Sequence, residues 1–308
     1  MLKLPSFAKI NWTLQIFGKR PDGYHEVATL LQSISLCDEL TFELREDDEI
    51  SLTCDDPDIP VDDSNLVMKA AKALQAGGVN VHLTKRIPAK AGLGGGSSNA
   101  AVTLLALNEL WELQLTNTDL LRIGATLGAD VPFFLMGGSA EGRGTGTNLC
   151  SVPDVEPKHL IVIKPNATVS TATAYASLNR GSLTTSDSAS ILSSSFSQAV
   201  SGDSGQWPLH NDFEVAIFEI EPEIGRAKVA LLDAGARGAL LAGSGSSVFG
   251  IFDDEAARDR ALGKLRTEAG WRIFSCHTLS RTEYLRAMGP SGFPLLRSLK
   301  NRQSDTGA

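Results

Sequence analysis

"AGLGGGSSNAA", Ala91 to Ala101, sets four glycines and two serines between a β-like stretch and an alanine-rich apolar run. Upstream, "VNVHLTKRIP" reads as a strand. Downstream, "SSNAAVTLLALNELWEL" carries Leu104, Leu107 and Trp111 at helical spacing. The glycines therefore join a strand to a helix start. Such a turn aims unpaired N–H groups and the positive end of the helix dipole at one spot, which suits phosphate in charge and geometry. The expected role is a nucleotide cradle. Two common phosphate loops fit badly. A P-loop needs Lys and then Ser or Thr after its last glycine, yet Gly96 is followed by Ser97 and Ser98; a dinucleotide fingerprint would put its last position at Ser97. A turn made only for chain reversal is the bland alternative, and it accounts poorly for glycine at four of the five positions from Gly92 to Gly96.

The whole chain bounds what can surround this loop. Its 308 residues suit one large or two ordinary domains, and 42% hydrophobic residues give a substantial core. A net charge of -8 argues against nucleic acid or an anionic membrane as partner, so an anionic ligand must be held locally. Cys37, Cys54, Cys150 and Cys276 lack C-x-x-C spacing and read as reduced, buried thiols. His82, His159, His210 and His277 show no metal spacing. "MLKLPSFAKIN" has no signal-peptide core, and no apolar run reaches the ~18 residues of a membrane span, so a cytoplasmic protein is expected.

Working outward from the loop, "KINWTLQI" alternates Ile10, Trp12, Leu14 and Ile16 with Lys9, Asn11, Thr13 and Gln15, a half-buried strand with Lys9 and Asn11 on its polar face. "GKRPDG" supplies a turn and "YHEVATLLQSISL" the return strand of a hairpin; "DELTFEL" and "EISLTC" are a further β-rich stretch. "SNLVMKAAKALQAGG" reads as a helix with Ser64 as N-cap, and "TDLLRIGATLG" as another. "KHLIVIKP" is a strand; "NDFEVAIFEIEPEIGRAKVALLDAG" is helical with a break near Pro222; "GALLAGSGSSVFGIF" reads strand, turn, strand; "DDEAARDRALGKLRTEAG" is an amphipathic helix and "WRIFSCHTL" a closing strand. Between them, Ser182 to Gly205 is serine-dominated and reads as a flexible excursion. The result is a two-part α+β chain divided near residues 155 to 160.

The string "PAKAGLGGGSSNAA" resembles the second motif of the GHMP kinases, the superfamily of galactokinase, homoserine kinase and mevalonate kinase. "FAKINWTLQIFGKRPDGYHEV", "LGADVPFFL" with "GGSAEGRGTG", "NDFE" and "LAGSGSSVFG" resemble, in order, further blocks of that superfamily's branch acting on a cytidine diphosphate-linked methylerythritol. The matches run from Phe7 to about Leu279. The resemblance implies the GHMP kinase fold: a ribosomal-protein-S5-like N-terminal domain over residues 1–157, a ferredoxin-like C-terminal domain over 158–285, and a frayed tail over 286–308. It also implies ATP as phosphoryl donor, Mg2+ with it, and a small-molecule alcohol as acceptor in isoprenoid precursor biosynthesis; the oligomeric state stays open.

The same resemblance assigns candidate residues. The loop Pro88, Ala89, Lys90, Ala91, Gly92, Leu93, Gly94, Gly95, Gly96, Ser97 and Ser98 would bind the ATP phosphates, its glycines letting the backbone close on the triphosphate, with Ser97 or Ser98 within reach of the metal ion. Asp130 matches the catalytic aspartate and Lys9 the catalytic lysine; read alone, Asp130 is an N-cap before a helix and Lys9 a solvated strand lysine. Asn11 shares the face of Lys9 and reads as substrate positioning, or else as a strand-edge hydrogen bond. Tyr24 and His25 match a pair that recognises cytosine, and without the resemblance would be an ordinary aromatic pair at a strand start. Gly243, Ser244 and Gly245 form a second tight loop beside phosphates and substrate, or a plain hairpin. Thr171 and Thr173 lie where relatives contribute active-site contacts. Thr147 stands where the family often has Glu, which leaves that acid's role open.

Overall fold

The computed structural model describes residues 1–74, 76–178, 209–265 and 269–289. The serine-dominated excursion lies wholly outside them, as do residues 290–308. The chain opens with two long strands, β1 (Leu2–Lys19) and β2 (His25–Leu44), paired antiparallel across the turn that holds Tyr24. The hairpin read from the sequence is therefore present, but "DELTFEL" is the far half of β2, because pairing with β1 continues past a register shift at Phe7/Ala8.

Next, β3 (Ile50–Cys54), α1 (Leu66–Leu74) and β4 (Val79–Thr84) make a crossover whose strands pair in parallel, and β4 joins β2 antiparallel. Ser64 does not cap α1. Asn65 does: its side-chain oxygen accepts from Val67 N at 2.9 Å and its carbonyl from Lys69 N at 3.0 Å, while the Ser64 hydroxyl is drawn to Asp62. The helices α2 (Gly95–Leu110), α3 (Asn117–Leu127) and α4 (Val131–Met136) follow, then β5 (Ser139–Gly144) on β2 and β6 (Asn148–Ser151) on β5. Among the described residues this sheet has seven strands, with the path β3-β4-β2-β1 continued by β8 (His210–Asn211).

The second sheet, ordered β11-β7-β10-β9, is built from β7 (His159–Lys164), β9 (Gly238–Leu241), β10 (Val248–Phe252) and β11 (Arg272–His277). Among the described residues four helices accompany it: α5 (Thr171–Ser177), α6 (Glu214–Ile220), α7 (Pro222–Asp233) and α8 (Glu255–Leu265). Pro222 opens α7, which is the break the sequence suggested. Two elements cross back: β8 (His210–Asn211) pairs in parallel with β1, and α9 (Arg281–Ala287) buries Tyr284 and Leu285 in the first core. The tail expected from residue 286 does not start there, since Met288 is buried in that same core.

The two sheets pack on each other through Ala8, Ile10, Trp12 and Ile34 on one side and Leu160, Val162, Leu240 and Phe249 on the other, with Trp12 and Phe249 edge to face at 5.8 Å. This corrects the reading of β1 as half-buried. Its apolar face meets the second sheet, and the face bearing Lys9, Asn11, Thr13 and Gln15 is also buried. A strand covered on both sides is ordinarily apolar throughout, because polar groups out of water need internal partners. Of these four, Lys9 and Asn11 line a cleft and so mark where the core gives way to a site.

Candidate active site

A cleft of about 1240 Å³ is lined by β1, the glycine loop, the start of α4, α5 and the turn between β9 and β10. The loop is pinned on both sides by its backbone. Lys9 N donates to Leu93 O at 3.0 Å, and Ser247 N donates to Ala91 O at 3.1 Å, while the Ala91 and Leu93 side chains are buried between the sheets. Ser98 is the first residue of α2 with an i−4 partner, donating to Gly94 O at 2.9 Å. The N–H groups of Gly95, Gly96 and Ser97 belong to the unpaired first turn, at the positive helix end.

The glycines have different reasons to be glycine. At Gly92, φ is 75° and a Cβ would sit 1.9 Å from Ala242 O, so the second loop itself excludes a side chain. At Gly96 a Cβ would meet nothing nearer than Leu66 Cδ1 at 3.8 Å. The protein's own packing therefore demands part of the pattern that looked purely ligand-driven. Ser98 departs from its expected place beside a metal ion: its side chain is fully buried and its hydroxyl hydrogen-bonds with Ser6 Oγ at 2.8 Å, whereas Ser97 lines the cleft.

Lys9 and Asp130 meet beside this loop, with Lys9 Nζ 3.6 Å from Asp130 Oδ2. The Lys9 side chain is 6% exposed and that of Asp130 39%, so a buried cation faces a carboxylate open to the cleft. Asp130 occupies the N-cap position of α4 but makes no side-chain cap bond, which answers the bland reading of it. Lys9 is no solvated strand lysine: Nζ also donates to Asn11 Oδ1 at 2.9 Å, and a Cβ on Gly243 would come 3.2 Å from Nζ. Asn11 is thus turned toward the lysine.

One end of the cleft is aromatic. His25 stacks on Tyr175 at 4.9 Å and 24°, and Tyr175 packs edge to face on Phe213 at 5.0 Å. Tyr24 stands 68% exposed at the rim. Burial, followed by the Asp130 carboxylate, pushes the Tyr175 phenol above its ordinary pKa, so it stays a neutral donor. Thr171 lies at this end with Oγ1 3.2 Å from Ser244 Oγ; Thr173 does not line the cleft and bonds to Ser170 instead. The opposite end, past the glycine loop, is lined by Ile59, Pro60, Asn65, Leu66 and Lys85. Thr145 and Gly146 face the cleft but Thr147 does not.

Tyr175 and Asp38 escaped the sequence reading, as did the contacts made by the "NDFE" block. Tyr175 carried a faint signal, the one aromatic in the small-residue helix "TATAYAS". The "NDFE" block acts as a clamp: Asn211 Nδ2 donates to Leu241 O at 2.9 Å and Gly243 O at 2.7 Å, Asp212 Oδ2 accepts from Ile16 N at 2.6 Å, and Glu214 Oε1 accepts from Leu241 N at 3.0 Å. It ties β1 to the second loop. Asp38, fully buried, accepts from Arg86 N and Ile87 N at 2.8 Å each and pairs with Lys85, fixing the chain just before Pro88.

A glycine-rich helix start, a buried lysine and a carboxylate at one point, set between these two sheets, define a GHMP kinase. Family models agree: the GHMP kinases N-terminal domain matches residues 65–138 and the GHMP kinases C-terminal domain residues 196–270. A homoserine kinase structure from Cytophaga hutchinsonii superposes with a TM-score of 0.67 at 20% identity over 90% of this chain and 95% of that one, which speaks for the fold alone. Within the superfamily the likeness narrows. The 4-diphosphocytidyl-2-C-methyl-D-erythritol kinase of Syntrophus aciditrophicus is 42% identical over 284 residues, 91% of this chain and all of the relative, and that of Solibacter usitatus is 43% identical over 281 residues, 88% and 87%. A crystal structure of 4-(cytidine 5'-diphospho)-2C-methyl-D-erythritol kinase superposes with a TM-score of 0.77 at 34% identity, covering 90% of this chain and 99% of that one. The chain belongs to the 4-diphosphocytidyl-2-C-methyl-D-erythritol kinase family.

Proposed function

We propose that this protein transfers the terminal phosphoryl group of ATP to the 2-hydroxyl of 4-diphosphocytidyl-2-C-methyl-D-erythritol, as a cytoplasmic enzyme of non-mevalonate isoprenoid precursor biosynthesis. The observation that carries the mechanism is the 3.6 Å approach of Lys9 Nζ to Asp130 Oδ2 beside the start of α2. In the transfer, the acceptor oxygen bonds to the terminal phosphorus, the bond from that phosphorus to the ADP oxygen breaks, and the hydroxyl proton passes to Asp130. The Lys9 ammonium stands beside that carboxylate and offers its remaining N–H groups to the reacting oxygens. The amides of Gly95, Gly96 and Ser97 receive the phosphates, with Pro88 to Leu93 shaping the wall.

The adenine fits the end lined by Ile59, Pro60 and Leu66, and the cytosine the aromatic end, where Tyr24, His25, Tyr175 and Phe213 offer ring faces to a flat base. Gly243, Ser244, Gly245 and Thr171 lie between these ends, near the diphosphate and the acceptor alcohol. Mg2+ bound with the triphosphate would offset the negative charge of the phosphates. No group of three or more His, Cys, Asp or Glu clusters among the described residues, which fits an ion held through the nucleotide, with the Ser97 hydroxyl and Asp130 as the chain's own donors in the cleft. No helix among the described residues is long and apolar enough to cross a membrane.

A substrate panel tests the reading. Turnover of the cytidylyl substrate should exceed that of homoserine, mevalonate and galactose by orders of magnitude, and Asp130→Asn should lower kcat about 10²- to 10⁴-fold, the range of general-base catalysis. Equal turnover across the panel, or an unimpaired Asp130→Asn enzyme, defeats it.

A further inference from the structure

From Lys9 a line of buried hydrogen bonds runs along the cleft wall through Asn11 and Thr29 to the Thr13 carbonyl. Lys9 Nζ donates to Asn11 Oδ1 at 2.9 Å, Asn11 Nδ2 donates to Thr29 Oγ1 at 2.7 Å, and Thr29 Oγ1 donates to Thr13 O at 2.7 Å. All four residues are buried. Chemistry fixes the direction of every link from both ends, since an ammonium only donates and a carbonyl only accepts. The single Thr29 proton is committed to Thr13 O, so the Thr29 oxygen can only accept, and only the NH2 side of Asn11 can supply it. The amide oxygen is then left facing Lys9. The Thr29 hydroxyl thus anchors, from the NH2 side, the Asn11 orientation that the Lys9 ammonium requires from the other.

The strand geometry serves the same arrangement. The register of β1 on β2 shifts between Asn11 and Thr13, where Asn11 lies opposite Leu31 and Thr13 opposite Leu30. At that irregularity Leu30 N donates to Thr13 Oγ1 at 3.2 Å, and the Thr13 carbonyl takes the Thr29 hydroxyl. Bulges of this kind turn side chains beside active sites.

We infer that Thr29 is a positioning residue for phosphoryl transfer: by setting the amide orientation of Asn11 it holds the Lys9 ammonium beside Asp130. The inference rests on the reading of Lys9 and Asp130 as the reacting pair. Without the hydroxyl, Asn11 Nδ2 has no acceptor at position 29, and the amide that holds the Lys9 ammonium beside Asp130 is anchored from one side only. The nucleotide cradle does not depend on these bonds.

Valine matches threonine in shape and β-branching, so Thr29→Val removes the hydroxyl with little change of volume. Its kcat should fall at least tenfold with KM for ATP within twofold of the parent, and Thr29→Ser should restore kcat to within about threefold. Because Thr29 acts through Asn11, adding Thr29→Val to Asn11→Ala should lower kcat by less than twofold more. Should Thr29→Val not accumulate as folded protein, Thr29→Ala carries the same comparison. A parent-like kcat in Thr29→Val, a failure of serine to rescue, or a full multiplicative loss in the Asn11→Ala background each overturns the inference. Lys9→Met separates the two levels: if it retains parental turnover the reacting-pair reading itself fails, whereas the Thr29 results bear on positioning alone.

Discussion

Replacing Asp38 with asparagine should destabilise the protein and loosen its nucleotide loop. Asp38 is 0% exposed and the Lys85 side chain 6%, so their ion pair is shielded from water. The same carboxylate accepts from Arg86 N and Ile87 N, each at 2.8 Å. Asparagine keeps the shape, and its amide oxygen still serves those two N–H groups. What is lost is the counter-charge, and the new NH2 faces the Lys85 ammonium. Removing one member of a buried pair typically costs about 3–5 kcal/mol, most of it from the charge left behind. Lys85 borders the cleft, where partial hydration offsets some of this, so about 3 kcal/mol is expected. Urea unfolding followed by circular dichroism reads this as a lower midpoint at unchanged slope. Adding Lys85→Met removes the stranded charge while keeping both backbone bonds, and should recover more than half of the loss. Since Arg86 and Ile87 lead directly into Pro88, Asp38→Asn should also raise KM for ATP several-fold. A loss below 1 kcal/mol in Asp38→Asn, or a double variant no more stable than the single one, would refute the reasoning.

The loop glycines should separate by cause. Gly92→Ala places a Cβ 1.9 Å from Ala242 O at a φ of 75° and should cost about 2–4 kcal/mol of stability by thermal or urea unfolding, whereas Gly96→Ala, 3.8 Å from its nearest neighbour, should keep the fold and raise KM for ATP. Tyr175→Ala should raise KM for the cytidylyl substrate about tenfold or more at little change in KM for ATP; equal effects on both substrates would contradict a base slot at that end. His210 bonds to Asp212 at 2.6 Å, which raises its pKa above the ordinary 6.5. The pair therefore contributes stability that is full below pH 6.5 and is lost as pH rises through the raised value, so His210→Gln should cost more at pH 5.5 than at pH 8.5 in urea midpoints, and a pH-independent gap would count against it.

Much of this fold and part of this site can be read along the chain. The alternation in "KINWTLQI", the Pro-Asp-Gly turn, the helix pattern after Ser97 and the Pro222 break each depend on a few neighbouring residues, and each stands in the structure. Position along a motif also brought out Lys9 and Asp130, which lie 3.6 Å apart. Three features could not be read this way. The burial of both faces of β1 needs the second sheet, whose strands begin at His159. Gly92 is glycine because of Ala242, 150 residues downstream. Tyr175, Asp38 and Thr29 gain their roles from partners on other elements.

The sequence by itself determined the local conformations and the order of the chemical blocks, because backbone dihedrals, turn residues and hydrophobic period are set within a few residues of each other. Only the tertiary structure decided which polar groups are buried together, which glycines are steric necessities, and that Lys9, Gly95, Asp130, Tyr175 and Gly243 line one cleft. The physical reason is that those contacts arise from two sheets packing face to face, and a contact between residues far apart in the chain leaves no periodicity in either segment that makes it.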